Sequence, residues 1–575
     1  MRNYKDEYQR WLDSPALSEA EWAELNAIAD DEKEIESRFF APLEFGTAGL
    51  RGTMKLGLHQ MNVHVIRHAT QAFANVIKAE GAEAMSKGIA ICFDCHNNSE
   101  LFAREAACVM AANGIHVRIF DALRPTPELS FAVRYYGTTA GLNITASHNP
   151  KEYNGYKVYW SDGAQLPPQH AAAIADQMSR IDIFNDFVSC DFDEALSDGR
   201  IELIGAETDE AYLEKVLEQA INKAVVKKVA DRLKIVYTPF HGAGYKLVPE
   251  ALHRLGITRL YPVREQMVLD GNFSTVESPN PENPEGFYLA IDLAKQVGSD
   301  LIIGTDPDSD RIGVMVRDGE SYTGITGNQL GVLLLDYVIT ARKAAGTLPA
   351  NAGAVKSIVT TEMAKAVAEA NGVHFEDTFT GFKFMAERIA EWEKAGSYEY
   401  IFAYEESYGY MMGDYVRDKD AVTASMMVAE MAAYYFDRGM NLKQAMESLY
   451  EKYGRYAEKT LNLVMPGLDG LAKMKNLMAQ LRGEPPKAIA GTEVFRLRDY
   501  SDGSITVPEL GVMGETPIKG SNVLYFELAD GTSFIVRPSG TEPKIKVYIL
   551  CKGADKAECD AKIKKYTEYA ESLKK

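Results

Sequence analysis

Three stretches of the chain share one arrangement of apolar and polar positions. Each begins with a short apolar run, passes through a polar turn into apolar residues at helical spacing, and returns through a glycine to a second apolar run. The stretches are 88–120, 233–263 and 354–375. Their glycines, placed where a helix would end and a left-handed residue is favoured, are Gly114, Gly256 and Gly372. Strand–helix–strand alternation predicts parallel pairing with right-handed crossovers, and the wide spacing predicts three related α/β domains rather than a solenoid.

Each of the three stretches is followed by an unusual polar loop. The loops are TASHNP at 145–150, GTDPDSDR at 304–311 and YEESYG at 404–409. In open α/β sheets, ligands bind beyond the carboxyl ends of the strands. Three domains can therefore each direct one loop towards a shared cleft.

The C-terminal part of the chain has a different pattern. Residues 522–551 predict three strands with an Asp-Gly hairpin between the first two, and 554–573 predict a closing helix. The stretch 453–522, rich in Gly and Pro in places, suits a linker. At 575 residues the chain is too long for one core. We expect three related α/β domains with mixed sheets, followed by a smaller C-terminal α+β domain, around a central cleft. The expected ranges are 1–205 with an N-terminal helical extension, 206–322, 323–455, and 456–575 with the linker.

Charge and apolar content exclude several classes of partner. Lys and Arg number 62 against 82 Asp and Glu, for a net charge of −20. Nucleic acids and anionic membranes are therefore unsuited as partners, because both require clustered positive charge. No apolar run approaches the ~20 residues of a membrane span, and the charged start lacks the apolar core of a signal peptide. We expect a cytoplasmic protein, and the sequence does not indicate its oligomeric state.

The six cysteines do not form a disulfide framework. Cys92 and Cys95 have the spacing of a redox pair just before a predicted helix. The favoured alternative is that they are two small residues at a strand end, because no second pair has zinc-ribbon spacing.

The loop at 304–311 brings three carboxylates together. Asp306, Asp308 and Asp310 alternate directly after an apolar strand. Carboxylates this close repel one another, so a bound divalent cation is the natural compensation, and oxygen ligands suit Mg²⁺. A calcium EF-hand requires Gly at the sixth loop position and Glu at the twelfth, where this chain has Arg311 and Arg317. That alternative is excluded, and an acidic turn in solvent is the one that stays open.

The segment RPSGTEPK at 537–544 predicts a phosphate site. Arg537 offers a planar fork of donors. Ser539 and Thr541 offer hydroxyls, and the backbone around Gly540 offers a nest of N–H groups. An ordinary loop between strands would not need this combination.

The other two loops carry hydroxyls and carboxylates. Glu405 and Ser407 would point the same way in an extended chain and match vicinal sugar hydroxyls. Ser147 has His148 beside it but lacks the Gly-x-Ser-x-Gly elbow of acyl transfer. A nearby metal and phosphate-binding groups favour phosphoryl transfer instead, which depends on positioning and charge neutralisation. A polar turn is the alternative for this loop.

Taken in order, these segments resemble the signature loops of the α-D-phosphohexomutases. The matching segments are FGTAGLRG (45–52), TASHNPKEYNGYKVY (145–159), DPDSDR (306–311), EES (405–407) and RPSGTEPK (537–544), with TPFHGAG (238–244) and PNPENPEG (279–286) also similar. The chain is most similar to the phosphoglucomutase branch that includes phosphopentomutase-like members. The resemblance implies an enzyme that moves a phosphoryl group between O1 and O6 of a hexose. It implies that Ser147 is carried as phosphoserine and that glucose 1,6-bisphosphate is both intermediate and primer.

The resemblance also implies roles for individual residues. Mg²⁺ would be held by one phosphoserine oxygen of Ser147 and by Asp306, Asp308 and Asp310. The implied catalytic residues are Ser147, Arg51, His148, Lys157 and Lys419. The implied substrate-binding residues are Arg311, Lys383, Glu405, Ser407, Arg537, Ser539, Gly540 and Thr541. Tyr404 and Pro307 depart from the family pattern, since many members have glycine at these two positions.

Three readings of function stay open at this point. The favoured one is a mutase of small-molecule sugar phosphates, with glucose preferred and mannose or pentose phosphates as alternatives. The second is a sugar phosphatase that uses the same phosphoserine, and the third is a non-catalytic sugar-phosphate sensor. The basic residues of the matching loops supply the local positive field that an anionic substrate requires in a chain of net charge −20.

Overall fold

The computed structural model describes residues 3–46, 49–465, 470–539 and 544–574. The chain forms two compact units. The first comprises Met1–Thr326 with Ser407–Asn441, and the second comprises Gly327–Glu406 with Leu442–Lys575. Within the described ranges, no helix combines the length and the apolar content that crossing a membrane requires.

The first sheet follows three N-terminal helices in the chain. Its elements are α1 (Tyr4–Leu12), α2 (Glu19–Asn26), α3 (Glu32–Phe39), β1 (Leu50–Thr53), α4 (Val63–Ala79), α5 (Ala82–Lys87), β2 (Ile89–Phe93), α6 (Ser99–Ala112), β3 (Val117–Phe120), α7 (Thr126–Tyr136), β4 (Ala140–Ile144), β5 (Tyr153–Trp160), α8 (Pro168–Arg180), α9 (Phe192–Ser197) and β6 (Ile201–Ile204). The strand order is β1-β5-β4-β2-β3-β6. Trp11, Leu25 and Phe39 are buried in the same apolar core as this sheet, so the helical extension is an integral part of the first domain.

The second sheet follows in the same unit. Its elements are α10 (Ala206–Glu218), α11 (Lys223–Val229), β7 (Ile235–Thr238), α12 (Gly244–Leu255), β8 (Leu260–Pro262), two short 3₁₀ turns (Arg264–Gln266 and Pro284–Phe287), α13 (Tyr288–Val297), β9 (Leu301–Thr305), β10 (Ile312–Asp318) and β11 (Ser321–Ile325). The strand order is β11-β10-β9-β7-β8.

The remaining elements belong mostly to the second unit. They are α14 (Gly327–Ala345), β12 (Ala352–Ser357), α15 (Met363–Ala370), β13 (His374–Thr378), α16 (Phe382–Ala395), β14 (Glu399–Glu405), β15 (Gly409–Met411), α17 (Ala421–Phe436), α18 (Leu442–Tyr453), β16 (Arg455–Val464), α19 (Gly470–Gly483), β17 (Ala488–Ile489), β18 (Thr492–Asp499), β19 (Ser504–Val507), β20 (Gly511–Glu515), β21 (Leu524–Leu528), β22 (Ser533–Pro538), β23 (Lys544–Gly553) and α20 (Lys556–Ser572). Of these, β15 and α17 lie in the first unit. The C-terminal sheet has the order β16-β23-β22-β21-β18-β19-β20.

The predicted repeat is confirmed in all three α/β sheets. The first strand of each repeat pairs in parallel with the second strand of that repeat on one side and with a later strand on the other. These triplets are β3-β2-β4, β8-β7-β9 and β13-β12-β14. The three helix-ending glycines have left-handed φ angles of 75°, 112° and 71°. The later strands β4, β9 and β14 are those that lead into the three polar loops, so each loop lies at the carboxyl end of a parallel strand.

The structure corrects the expectation of a linker at 453–522. Most of this stretch forms strands β16 to β20 and helix α19, and β16 pairs over its full length with β23. Within the second unit, the C-terminal sheet contacts the loops that follow β12 and β13, through an apolar cluster that includes Val359, Phe379, Tyr525 and Ile535. Strand β16 contains neither Gly nor Pro, but only one of its ten residues is buried, so it lacks the run of apolar residues that predicts a strand.

Candidate active site

Ser147 occupies a strained turn directly after β4. Its φ angle is +57°, in the left-handed region that residues other than glycine seldom adopt. The side chain is buried, and Ser147 Oγ donates to Asp306 Oδ2 across 3.1 Å. His148 Nδ1 lies 3.3 Å from the same oxygen. The hydroxyl is thus presented directly to the acidic loop of the second sheet.

The three aspartates after β9 form a buried acidic cluster. One carboxylate oxygen from each of Asp306, Asp308 and Asp310 lies within 4.8 Å of the others. Asp306 Oδ1 accepts from the backbone N–H groups of Asp310 and Arg311, at 3.0 and 2.9 Å. This hydrogen bonding folds the loop so that its alternate carboxylates converge.

The electrostatics of this cluster fit a divalent cation. Burial, together with the charges of the neighbouring aspartates, raises the pKa of Asp306 and of Asp310. Burial alone would also raise the pKa of Asp308, but the Lys157 ammonium holds it well below its usual range. Asp308 Oδ1 and Asp310 Oδ1 are buried and accept no hydrogen bond from any described residue. Excess buried negative charge and two unused carboxylate oxygens are what a metal ion would satisfy, so the cluster can hold one.

Two lysines flank the acidic cluster. Lys157, on β5 beside the strand that leads to Ser147, places Nζ 2.8 Å from Asp308 Oδ2 and 4.0 Å from Asp310. Lys419, just before α17, places Nζ 3.2 Å from Asp310 and 2.9 Å from Asp418. Both side chains are almost fully buried, so their positive charges act on the cluster with little screening by solvent.

Two arginines complete the positive rim of the site. Arg51, on β1, donates to Asn149 Oδ1 across 3.2 Å. Arg311 donates from Nη1 to Glu282 Oε1 across 2.9 Å. Burial, followed by the charges of these two arginines, lowers the pKa of His148 well below its usual range. The first unit therefore gathers Ser147 and all the residues that the sequence assigned to its chemistry.

Several supporting residues were missed by the sequence reasoning. Thr126, at the start of α7, donates from Oγ1 to Asp308 Oδ2 and from its backbone N–H to the Asp308 carbonyl, both at 2.8 Å. Asp418 accepts from Tyr159 Oη at 2.8 Å as well as from Lys419. No local signal marked Thr126, because its partner Asp308 is 182 residues away. Asp418 is the immediate neighbour of Lys419, but its contact with Tyr159 joins residues that are 259 positions apart. Glu282 lies in the PNPENPEG segment, so for that residue a signal was present.

The TPFHGAG segment packs closely against the backbone of the acidic loop at Pro307. A side chain at Gly242 would place its Cβ 2.4 Å from Pro307 Cα. The absence of that atom lets the two backbones approach, and the Ala243 N–H donates to the Pro307 carbonyl across 2.8 Å.

The second unit holds most of the remaining residues of the expected substrate site, and Ser407 belongs to the first unit. Glu405 ends β14 and accepts from the Gly381 backbone N–H. Lys383 lies at the start of α16, where burial lowers its pKa. Arg537 and Ser539 lie at and just after the end of β22, whereas Gly540 and Thr541 fall outside the described residues. Tyr404 fits because the ring packs where Gly331 of α14 has no side chain.

The expected extended geometry of the EES segment is wrong. Glu405 is the last residue of a strand, but Ser407 lies in a turn and is grouped with the first unit. The next residue, Tyr408, has a left-handed φ of 67°, which reverses the chain direction before β15.

All six cysteines are free thiols. Cys92 is a buried residue of β2, and burial raises its pKa and that of Cys95 well above the usual range. A thiol with a raised pKa is a poor redox nucleophile, which agrees with the favoured reading of this pair as small strand-end residues.

Comparison with known proteins places the chain in a family. It matches, in order, the phosphoglucomutase/phosphomannomutase α/β/α domain I at residues 42–183, domain II at 210–319, domain III at 326–453 and the C-terminal domain at 499–562. The chain therefore belongs to the phosphoglucomutase/phosphomannomutase family, within the α-D-phosphohexomutases. It is an enzyme, an intramolecular phosphotransferase.

Individual relatives agree with this assignment. The chain is 35% identical to a phosphoglucomutase of Staphylococcus haemolyticus over 517 residues, 89% of this chain and 91% of that protein. It is 35% identical to a phosphoglucomutase of Staphylococcus aureus over 536 residues, 91% of this chain and 92% of that protein. Among solved structures, the open form of the phosphoglucomutase parafusin from Paramecium has a TM-score of 0.67 at 18% identity, covering 92% of this chain and 95% of that one. An N-acetylphosphoglucosamine mutase of Aspergillus fumigatus, solved with GlcNAc-6P and magnesium, has a TM-score of 0.50 at 13% identity, covering 97% and 100%. These two structures support the fold alone.

Proposed function

We propose that this enzyme is a phosphoglucomutase that interconverts glucose 1-phosphate and glucose 6-phosphate. The observation that carries the proposal is the approach of Ser147 Oγ to Asp306 across 3.1 Å, inside a buried cluster of three aspartates flanked by two lysines. A hydroxyl in this setting suits phosphoryl transfer, where catalysis is largely positioning and charge neutralisation. The names of the staphylococcal relatives favour glucose over mannose or pentose phosphates.

In the proposed reaction, Ser147 carries the phosphoryl group as phosphoserine. A free sugar hydroxyl attacks the phosphorus, the bond from phosphorus to Ser147 Oγ breaks, and a sugar–phosphate ester forms. The product is glucose 1,6-bisphosphate, which turns round and returns its other phosphate to Ser147 with the reverse proton movement. His148 and Lys419 are the proposed proton-handling groups, while Arg51, Lys157 and Arg311 neutralise the migrating charge. Free glucose 1,6-bisphosphate would prime an enzyme that has lost its phosphate.

Asp306, Asp308, Asp310 and the phosphoserine are the proposed ligands of Mg²⁺. This ion would supply charge neutralisation to the phosphoryl group in transit. Its identity is favoured by an all-oxygen ligand set with few carboxylates and one phosphate oxygen. The magnesium in the Aspergillus mutase structure is in keeping with this choice.

The remaining assigned residues would bind the substrate. Glu405 and Ser407 would bind sugar hydroxyls, and Lys383 would contribute to substrate preference. The phosphate that is not being transferred would bind Arg537, Ser539, Gly540 and Thr541. We retain the domain ranges 1–205, 206–322, 323–455 and 456–575 as part of this proposal, with a cytoplasmic location and small sugar phosphates as the only partners.

A coupled assay tests the proposal. Glucose 1-phosphate, mannose 1-phosphate and ribose 1-phosphate are each supplied with Mg²⁺, with and without glucose 1,6-bisphosphate. We expect the highest kcat/KM for glucose 1-phosphate, stimulation by the bisphosphate, and loss of turnover in Ser147→Ala but not in Ser179→Ala, a control on an exposed helix end. Release of inorganic phosphate as the main product would instead identify a phosphatase.

A further inference from the structure

A buried hydrogen-bond network lies behind the Ser147 loop, in the turn after β2. Asp94 is its centre, and the side chain is 3% exposed. Asp94 Oδ2 accepts from Thr145 Oγ1 across 2.5 Å and from His96 Nδ1 across 2.6 Å. Its other oxygen accepts from Ser99 Oγ and from the His96 backbone N–H, both at 2.9 Å. Two of these donors, Thr145 and His96, also bond to the Ser147 loop.

The network reaches the loop on both sides of Ser147. On one side, Thr145 Oγ1 accepts from the Ser147 backbone N–H across 2.7 Å. On the other, His96 Nε2 faces the carbonyl of Asn149 across 3.2 Å. Asp94 thus holds, through one intermediary each, the residue that bears the hydroxyl and the residue two positions later.

The protonation of His96 follows from its partners. Both ring nitrogens face acceptors, a carboxylate and a carbonyl, so both must carry hydrogen. Burial alone would lower the pKa of His96, but the Asp94 carboxylate reverses that effect and raises it. The ring is also held from the second domain, where Phe273 packs edge-on with centroids 5.0 Å apart. Asp94 and His96 therefore form a buried, charge-assisted hydrogen bond rather than a surface contact.

The left-handed backbone conformation of Ser147 explains why the loop needs the hydrogen bonds of Asp94 and His96. A serine at φ +57° is in a strained backbone conformation, so the loop would relax without support. A relaxed turn would move Oγ away from Asp306, and a displacement of about 1 Å at a reacting atom can cost about 100-fold in rate.

We propose that Asp94 is a positioning residue for Ser147, acting through Thr145 on one side and His96 on the other. The inference rests on the proposed function, because it assumes that Ser147 is the nucleophile. Asp94 touches neither substrate nor the reacting phosphorus, and its effect is exerted on the rate of transfer rather than on the affinity for sugar phosphate.

Three variants of two threonines test the proposal. Thr145→Val keeps the shape and removes the hydroxyl, whereas Thr145→Ser keeps the hydroxyl. Thr139→Val is the matched control, because Thr139 Oγ1 also donates a buried hydrogen bond, to the Ala84 carbonyl across 2.8 Å, outside this network. We expect Thr145→Val to lower kcat by about 10- to 100-fold with little change in KM, and Thr145→Ser and Thr139→Val to stay close to the unmodified enzyme.

Single-turnover kinetics and melting temperatures separate positioning from stability. We expect phosphorylation of Ser147 by glucose 1,6-bisphosphate to slow in Thr145→Val and in Asp94→Asn, although the thermal shift of Thr145→Val matches that of Thr139→Val. Unchanged kcat in Thr145→Val, or equal losses in Thr145→Val and Thr145→Ser, would overturn the positioning role. If Ser147→Ala in the same series keeps its mutase activity, the proposed function itself fails, independently of the threonine results.

Discussion

Replacing Asp310 with asparagine removes one of the three negative charges of the acidic cluster while preserving the size of the side chain. In the metal-free protein the change relieves repulsion, since the three carboxylates lie within 4.8 Å of one another. Lys419 keeps its second partner, Asp418, at 2.9 Å. We therefore expect the metal-free Asp310→Asn variant to melt at the same temperature as the unmodified enzyme or slightly above it.

The substitution weakens the binding of a divalent cation. Two unit charges about 4 Å apart interact by about 4 kcal/mol at an effective dielectric constant of about 20, and a divalent ion doubles this to about 8 kcal/mol. If solvent and the remaining ligands leave only about a third of that energy, the loss is about 2.7 kcal/mol, which is about 100-fold in Kd. The same substitution at Asp318, on the exposed end of β10, should leave the affinity unchanged.

Titration with Mn²⁺, followed by electron paramagnetic resonance of the free ion, measures the affinity directly, and competition gives the value for Mg²⁺. We expect Asp310→Asn to bind at least about 100-fold more weakly than Asp318→Asn. Equal Mn²⁺ affinities in the two variants would refute the assignment of this cluster as the metal site.

Three further substitutions probe packing, an ion pair and the phosphate loop. Gly331→Ala places a methyl group 2.0 Å from the Tyr404 ring and should lower the free energy of unfolding of the second unit by about 1–3 kcal/mol, whereas Gly483→Ala, with open space around it, should not. Arg124→Met removes the 2.6 Å partner of the buried Asp209, which keeps Lys246, and should lower the free energy of unfolding by about 2 kcal/mol in denaturant titrations. The exposed Arg180→Met should lower it by less than about 0.5 kcal/mol. Arg537→Ala should raise KM for glucose 1-phosphate by at least about 10-fold, and Arg496→Ala in the same sheet should not; similar KM values for those two variants would remove Arg537 from the phosphate site.

Much of the fold was predictable because it repeats. The three helix-ending glycines and the apolar strands around them give a local signal that does not depend on distant parts of the chain. The C-terminal hairpin and closing helix were also predicted from local signals in the sequence. The stretch after Tyr453 was taken for a linker because of its Gly and Pro content, whereas β16 and β18 are strands of ten and eight residues that pair with β23 and β21.

The site was predictable where its chemistry is concentrated in one loop. Alternating aspartates after an apolar strand indicate a cation site, because closely spaced carboxylates repel one another unless a cation is bound. Thr126 and Asp308 are instead 182 residues apart, and Thr145 and Asp94 are 51 apart, so their hydrogen bonds exist only in the folded chain. The turn at Ser407 was missed because an extended backbone was assumed where Tyr408 adopts a left-handed conformation.

The most direct test of the account is to follow phosphate onto the protein. The enzyme is incubated with glucose 1,6-bisphosphate labelled with ³²P, digested, and its labelled peptide identified by mass spectrometry. The account predicts label on the peptide that contains Ser147, and its transfer to sugar when unlabelled glucose 1-phosphate is added. Turnover of glucose 1-phosphate with no label on Ser147 at any time would contradict it.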